Sequence, residues 1–251
     1  MGLVIDGFSH ILPKRFVEEI SRRYPTDELK GLSAIKRFHE VENRVRVLDE
    51  YKIDQQVLTL ARPSIWIDMP EDIALPVTRA ANDAVFETAK QFPERFIPLG
   101  TLPNLSEEFL PELDRCIEDL GMAGVQIFSN VDGRPLDDPE FRPFFEKANS
   151  TRVPVWIHPQ LRVGWAERFA LDKLLGWPYD TSMALAQLVF SGIMEAYPDL
   201  RIISHHMGGM IPFFSERLKT GYDAADLYPR GKFVPLATPI GAGGKYRHGL
   251  Y

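Results

Sequence analysis

Apolar residues along this chain gather in short dense runs, separated by longer stretches in which they recur every three or four positions. The dense runs are "LVIDGFSHIL" (3–12), "IDQQVLTLA" (53–61), "RFIPLGTLP" (95–103), "AGVQIF" (123–128), "VPVWIHP" (153–159) and "LRIISHH" (200–206). Each has the length of a β-strand. Between them lie amphipathic stretches such as "EDIALPVTRAANDAVFETAKQF" (71–92) and "EEFLPELDRCIEDLG" (107–121), the latter closing on Gly121, a helix C-terminal signal. Apolar runs alternating with helices predict repeated βα units and a parallel sheet. The expected fold is α/β, a (β/α)8 barrel of TIM type, for which about 250 residues is typical. A doubly wound sheet competes, but no Gly-rich phosphate loop follows the first strand.

No linker and no repeat of high identity divides the chain, so residues 1–251 are read as one domain. Six strands are accounted for by His206, and only residues 207–251 follow. "MIPFFSERLKTGYDAA" predicts one helix, and 227–251 is an atypical tail ending in a Gly-rich stretch. Two further strands with their helices need roughly twice that length. The barrel is therefore expected to be incomplete at its C-terminal end. Its sheet should be open near the sixth or seventh strand, and either covered in a homo-oligomer or left prone to aggregation.

Composition narrows the partners. The chain is 45% hydrophobic and 25% charged, with a net charge of −6 and a pI near 5.6. That balance argues against nucleic-acid binding, which calls for a basic patch. Cys116 is the only cysteine, which excludes an intramolecular disulfide and a cysteine-rich zinc site. No apolar run approaches the roughly 18 residues of a membrane span, and no secretory signal opens the sequence. The expected location is the cytoplasm.

Barrel chemistry gathers at the C-terminal ends of strands, and histidines stand there. His10 ends the first predicted strand, His158 the fifth, and the pair His205-His206 the sixth, whereas His39 and His248 fall elsewhere. A single histidine at a strand end is more often a packing or hydrogen-bonding residue. Three strand ends carrying histidine together favour a shared site, and neutral imidazole is a common ligand of zinc and similar metals. Phe8 lies two residues before His10, so strand alternation predicts that both point to the same side.

Five stretches carry a family likeness: "DGFSHILP", "RVRVLDEYKIDQQVLTLA", "AANDAVFETAKQFPERFIPLGTLP", "LGMAGVQIFSNVDGRPLDDPEFRPFFEKANSTRVPVWIHPQ" and "GWPYDTSMALAQLVFSGIMEAYPDLRIISHHMGGMIPFFSERL". With them the chain resembles the amidohydrolase superfamily, in the branch that contains aminocarboxymuconate-semialdehyde decarboxylase, the resorcylate and dihydroxybenzoate decarboxylases and related hydratases. The resemblance runs from Met1 to about Tyr222. It implies a metal-dependent decarboxylase or hydrolase acting on a small, aromatic or unsaturated carboxylic acid. His10 and His158 are then ligands to zinc or another divalent metal, and His206 is the catalytic residue beside the metal. Alternation makes His205 its outward-facing neighbour.

The same resemblance marks two departures. The family's first strand carries His-x-His or Glu-x-His, and Phe8 stands at the first of those positions. Its metal-binding aspartate after strand eight has no counterpart, since no Asp or Glu follows Asp226. The metal is therefore expected to be weakly bound or absent, and the alternative reading is an impaired homologue acting as a binding or assembly protein. Among the flanking residues, Arg44, Arg46 or Arg62 could clamp a substrate carboxylate, with Arg46 the candidate carried forward, although a solvated helix face is the plainer reading. Trp177 could shape an aromatic-substrate pocket, with core packing as the plainer reading for it and for Trp156.

Overall fold

The computed structural model describes residues 2–23, 25, 27–60, 69, 71–160 and 168–223. Arg62, Asp226, His248 and the tail 227–251 lie outside the described residues. The chain divides into two compact units, one of 1–127 with 153–155 and one of 128–152 with 156–251.

The first unit is built on β1 (Ile5–His10), β2 (Gln55–Thr59), β3 (Phe96–Thr101) and β4 (Gly124–Phe128, of which Phe128 belongs to the second unit). They run in the order β1-β2-β3-β4 with parallel pairing throughout. Residues 56–59 of β2 are all buried, as are all five residues of β4. Both faces of these strands are covered, and the buried polar side chains among them, Gln56, Thr59 and Gln126, are hydrogen-bonded. Helices α1 (Lys14–Arg23), α2 (Asp27–Ser33), α3 (Val41–Glu50), α4 (Glu71–Lys90) and α5 (Leu110–Asp114) surround them. Phe16 and Ile20 of α1, Leu48 of α3 and Val77, Ala81 and Val85 of α4 pack with Leu58 and Phe96 into one core.

Helix α4 is tied to β3 through Asn82. Its amide nitrogen donates to the Thr101 carbonyl at 3.0 Å and to Glu112 Oε1 at 2.7 Å, and its carbonyl oxygen accepts from the Thr101 N–H at 2.9 Å. The fully buried Glu112 carboxylate of α5 also takes a two-pronged bond from Arg115 at 2.9 and 2.8 Å, and one from Arg79 at 3.1 Å. Past α5 the chain widens into a π-turn, Arg115–Asp119, and Gly121 closes it at φ +65°, as the sequence predicts. Cys116 there presses on β3 so closely that a Cβ on Gly100 would lie 2.7 Å from its sulfur.

The second unit begins at Phe128. A small hairpin, β5 (Asn130–Val131) with β6 (Arg134–Pro135), turns on Asp132 and Gly133, both at positive φ. Two-residue strands leave no apolar run, and the hydropathy pattern does not foretell them. Then come α6 (Arg142–Thr151), β7 (Pro154–His158, whose first two residues belong to the first unit), α7 (Trp177–Phe190), α8 (Ile193–Ala196), β8 (Arg201–Ser204) and α9 (Ile211–Asp223). In the strand order β4 neighbours β7 and β7 neighbours β8. All six strands expected from the sequence are present. Among the described residues, no helix is long and apolar enough to cross a membrane.

The Glu112 cluster yields a pH-dependent prediction. Burial alone would raise the Glu112 carboxyl, but the hydrogen bonds from Arg115, Asn82 and Arg79 outweigh it and hold the group below its ordinary value of 4.5. A carboxyl depressed by folding adds stability above its unfolded pKa, and that contribution fades as pH falls through the folded pKa. Glu112→Gln should thus cost about 3 kcal/mol at neutral pH. The gap to the parent protein should close as pH drops below the ordinary glutamate range. Urea unfolding of both proteins between pH 7 and pH 3 measures this; a gap that does not change with pH would contradict it.

Candidate functional site

His158 is the last residue of β7 and is buried. Pro159 follows and ends the ladder, having no N–H to donate. The His158 Nδ1 faces the Pro159 carbonyl at 2.6 Å. A carbonyl only accepts, so Nδ1 carries a proton, the tautomer that a histidine ligating through Nε2 uses. Around the ring stand Phe128 at 5.2 Å, Trp177 at 6.4 Å and His205 at 4.6 Å between centroids, the last edge-on.

Strand β8 stops at Ser204, one residue before the histidine pair, and a tight turn follows. His206 and Met207 both sit at φ +54°, followed by Gly208 at +85° and Gly209 at +62°. Strand alternation does not extend through such a turn. The expectation that His206 faces inward and His205 outward is therefore corrected. His205 is buried against His158, while His206 is exposed, with its Nδ1 3.1 Å from the Thr181 hydroxyl. Two non-glycine residues in the left-handed region cost on the order of 1–3 kcal/mol each, so surrounding bonds must hold them.

The first turn of α7 supplies those bonds. The Ser182 hydroxyl donates to the Pro178 carbonyl and accepts from the Met210 N–H, both at 2.7 Å. Gly209 lies so close to this turn that a Cβ would fall 2.3 Å from the Pro178 oxygen. Asp180 reaches the other way. Its carboxylate accepts from the Gln160 N–H at 2.7 Å and from the Ser129 hydroxyl, while the Ser129 N–H donates to the His158 carbonyl at 2.8 Å. The "GWPYDTS" segment is thus a polar clamp on the segments carrying both histidines. Sequence reasoning singled out only Trp177 in it. The available signal was a run of three polar residues, Asp180 to Ser182, opening a helix that is otherwise apolar.

In the first unit His10 ends β1. Its Nδ1 lies 2.6 Å from the Thr59 hydroxyl, which gives its one proton to the Ser9 carbonyl at 3.0 Å. The hydroxyl can only accept from His10, so here too Nδ1 is protonated and Nε2 is basic. Burial, with the Arg44 guanidinium behind it, pushes the His10 pKa down to about 4 against the pull of Asp6, leaving the ring neutral at physiological pH. Arg44 donates to the His10 carbonyl and to Gln56, both at 2.8 Å, and so braces the end of β1.

Arg46, the candidate substrate clamp, instead lies exposed on α3. It is bound to Asn43 at 2.9 Å and is 3.6 Å from Glu50. The plainer reading, a solvated helix face, describes it. The pairing of β1 with β2 slips by one residue between Asp6 and Ser9. Phe8 therefore sits inside a bulge, where alternation with His10 is no longer guaranteed.

Comparison with known proteins gives these residues a context. The Amidohydrolase family profile matches residues 22–234. The 2-amino-3-carboxymuconate-6-semialdehyde decarboxylase of Dictyostelium discoideum is 33% identical over 246 residues, covering 89% of this chain and 68% of its own. The gamma-resorcylate decarboxylase of Rhizobium radiobacter is 30% identical over 190 residues, covering 70% of this chain, which spans 58% of that relative's length. Among solved structures, 5-carboxyvanillate decarboxylase from Novosphingobium aromaticivorans, complexed with manganese and 4-hydroxy-3-methoxy-5-nitrobenzoic acid, aligns with a TM-score of 0.78. That alignment has 25% identity and covers 92% of this chain and 72% of that one. Dihydroxybenzoic acid decarboxylase from Polaromonas sp., with bound manganese and 2-nitroresorcinol, aligns at 0.71 with 25% identity over 86% of this chain and 69% of its own. With a profile match across most of its length and a relative of this identity, the chain belongs to the amidohydrolase family.

Proposed function

We propose that this chain is a metal-dependent carboxy-lyase acting on a small aromatic or unsaturated carboxylic acid. The observation that carries the reading is His158: a buried strand-end imidazole, its Nδ1 proton committed to the Pro159 carbonyl, edge-on to His205 and near Trp177. It occurs in a chain 33% identical to a decarboxylase.

His10 and His158 are the residues of this chain that the family resemblance assigns to the metal, and both offer Nε2, so the donors fit a divalent cation. Imidazole nitrogen suits zinc, and the two structural relatives hold manganese. When bound, such a cation supplies a Lewis acid for the substrate's oxygens. The chain's own contribution is positioning and proton transfer. Trp177 gives an aromatic substrate a surface to pack on. His206, tethered to Thr181, delivers a proton to the carbon that bears the carboxylate; the electron pair of the breaking C–C bond returns to the substrate as CO2 leaves. The proposal places this chemistry in the cytoplasm, in a homo-oligomer. The exposed Phe213 on α9 supports the second.

Phe8 favours a second reading, an impaired homologue retained for binding or assembly, because a phenyl ring has no lone pair to give a metal. Release of CO2 from 2,6-dihydroxybenzoate and related acids, with Mn2+ or Zn2+ added, separates the two. The carboxy-lyase reading expects metal-dependent release that falls at least about 100-fold in His158→Ala. A metal-loaded protein inert toward the whole panel would support the impaired homologue. Replacing Phe8 by His should also tighten Zn2+ binding by about tenfold or more, since one ligand of a four-ligand zinc site accounts for roughly 3 kcal/mol. Chelator competition reads this directly, and unchanged affinity would show that the bulge carries position 8 away from the metal.

A further inference from the structure

We propose that His205 is a metal ligand of this chain, supplying with His158 the coordination that Phe8 cannot, and that His206 is thereby left for proton transfer. The inference rests on the metal-dependent reading above and deepens it. A single histidine at the end of this strand could not do both jobs, because a nitrogen bound to a cation cannot also carry a proton to the substrate.

The geometry divides the pair. His205 is buried, and its ring meets His158 edge-on at 4.6 Å between centroids. A ligand nitrogen of each ring lies within 4.8 Å of the other's. Two imidazoles that share a cation with metal–nitrogen bonds of about 2.0–2.1 Å need donor atoms inside roughly 4 Å of each other, which a small rotamer adjustment reaches from here. His206, one residue on, faces outward to solvent and Thr181, with its centroid 6.0 Å from that of His205.

The backbone supports the same division. Had β8 continued through both histidines, one would lie on each side of the strand. Instead it ends at Ser204, and His206 and Met207 adopt φ +54°. Strained non-glycine backbone persists where surrounding structure enforces it, and it clusters at functional sites. Here the enforcement is visible in the contacts of Met210 and Gly209 with α7. The clamp thus presents His205 to His158 and holds His206 beside that pair on the Thr181 hydroxyl, its centroid 6.0 Å from that of His205.

The test is Zn2+ affinity and stoichiometry of the purified full chain, by competition with a chromophoric chelator and by elemental analysis. The proteins compared are the parent, His158→Ala, His205→Phe, His205→Asn and His206→Ala. The phenyl ring preserves packing against His158 and removes the nitrogens; the asparagine covers the case in which the larger ring does not fit. We expect both His205 variants to lose Zn2+ affinity by about 100-fold or more, and the rise in melting temperature that Zn2+ gives the parent protein to disappear. His206→Ala should keep affinity within about twofold. If His158→Ala loses metal while His205→Phe and His205→Asn bind as the parent does, the assignment of His205 is overturned and the metal reading stands. If His206→Ala loses the metal instead, the division of labour is overturned. If the parent protein binds no Zn2+ above background, the metal reading and the inference that rests on it both fail.

Discussion

The buried carboxylate of Asp180, in the first turn of α7, is the interaction on which the second unit's chemistry depends. It takes the Gln160 N–H and the Ser129 hydroxyl, and Ser129 in turn donates its N–H to the carbonyl of His158. One side chain thus joins the loops that leave β4 and β7. A carboxylate at that position is favoured by hydrogen bonds that are stronger to an anion. Its removal would leave the Ser129 hydroxyl without its acceptor, at about 1–3 kcal/mol, and the Gln160 N–H with the Ser129 oxygen alone. Thr181 and Ser182 extend the grip to His206 and Met210. A single turn of helix therefore holds three segments remote in sequence, at Ser129, at Gln160 and at 206–210.

That dependence explains which parts of the molecule the amino-acid pattern reveals. Strands buried on both faces bury most of their residues, as β2, β4 and β7 do, and the strands stand out as short dense runs, with His10 and His158 visible at the ends of β1 and β7. Alternation fails where the backbone leaves the extended region. The positive φ values at His206 and Met207 exchange the faces of the histidine pair, and neither residue type advertises such a conformation. At Phe8 a one-residue slip in the ladder removes the guarantee of alternation with His10. The clamp of Asp180, Thr181 and Ser182 went unread because its partners are 20 to 51 residues away.

The arginines show a signal that was present but unused. Val41, Val45 and Leu48 define the inward stripe of α3 at helical spacing, and Arg44 falls beside Val45 and Leu48 on that stripe, whereas Arg46 is about 200° away from Arg44. The helical period alone places Arg44 against the core and Arg46 in solvent. In the structure Arg44 braces the His10 carbonyl, and Arg46 bonds within its own helix. The helix face that each arginine occupies, rather than its nearness to a strand end, sets its partners.

The histidines separate by the same kind of question, put to their nitrogens. His39 turns both ring nitrogens to backbone carbonyls, those of Leu12 and Ser33, and is committed to holding the chain before α3. His10 and His158 each turn Nδ1 to an acceptor fixed by its surroundings, so that Nδ1 carries the proton. The Thr59 hydroxyl can only accept because its proton is already given to Ser9; the Pro159 oxygen can only accept because it is a carbonyl. Ligand capacity in this chain is therefore set by the acceptor standing behind each ring. A strand end brings an imidazole to the place where chemistry can happen, and the group behind it decides whether that imidazole arrives with a lone pair to offer.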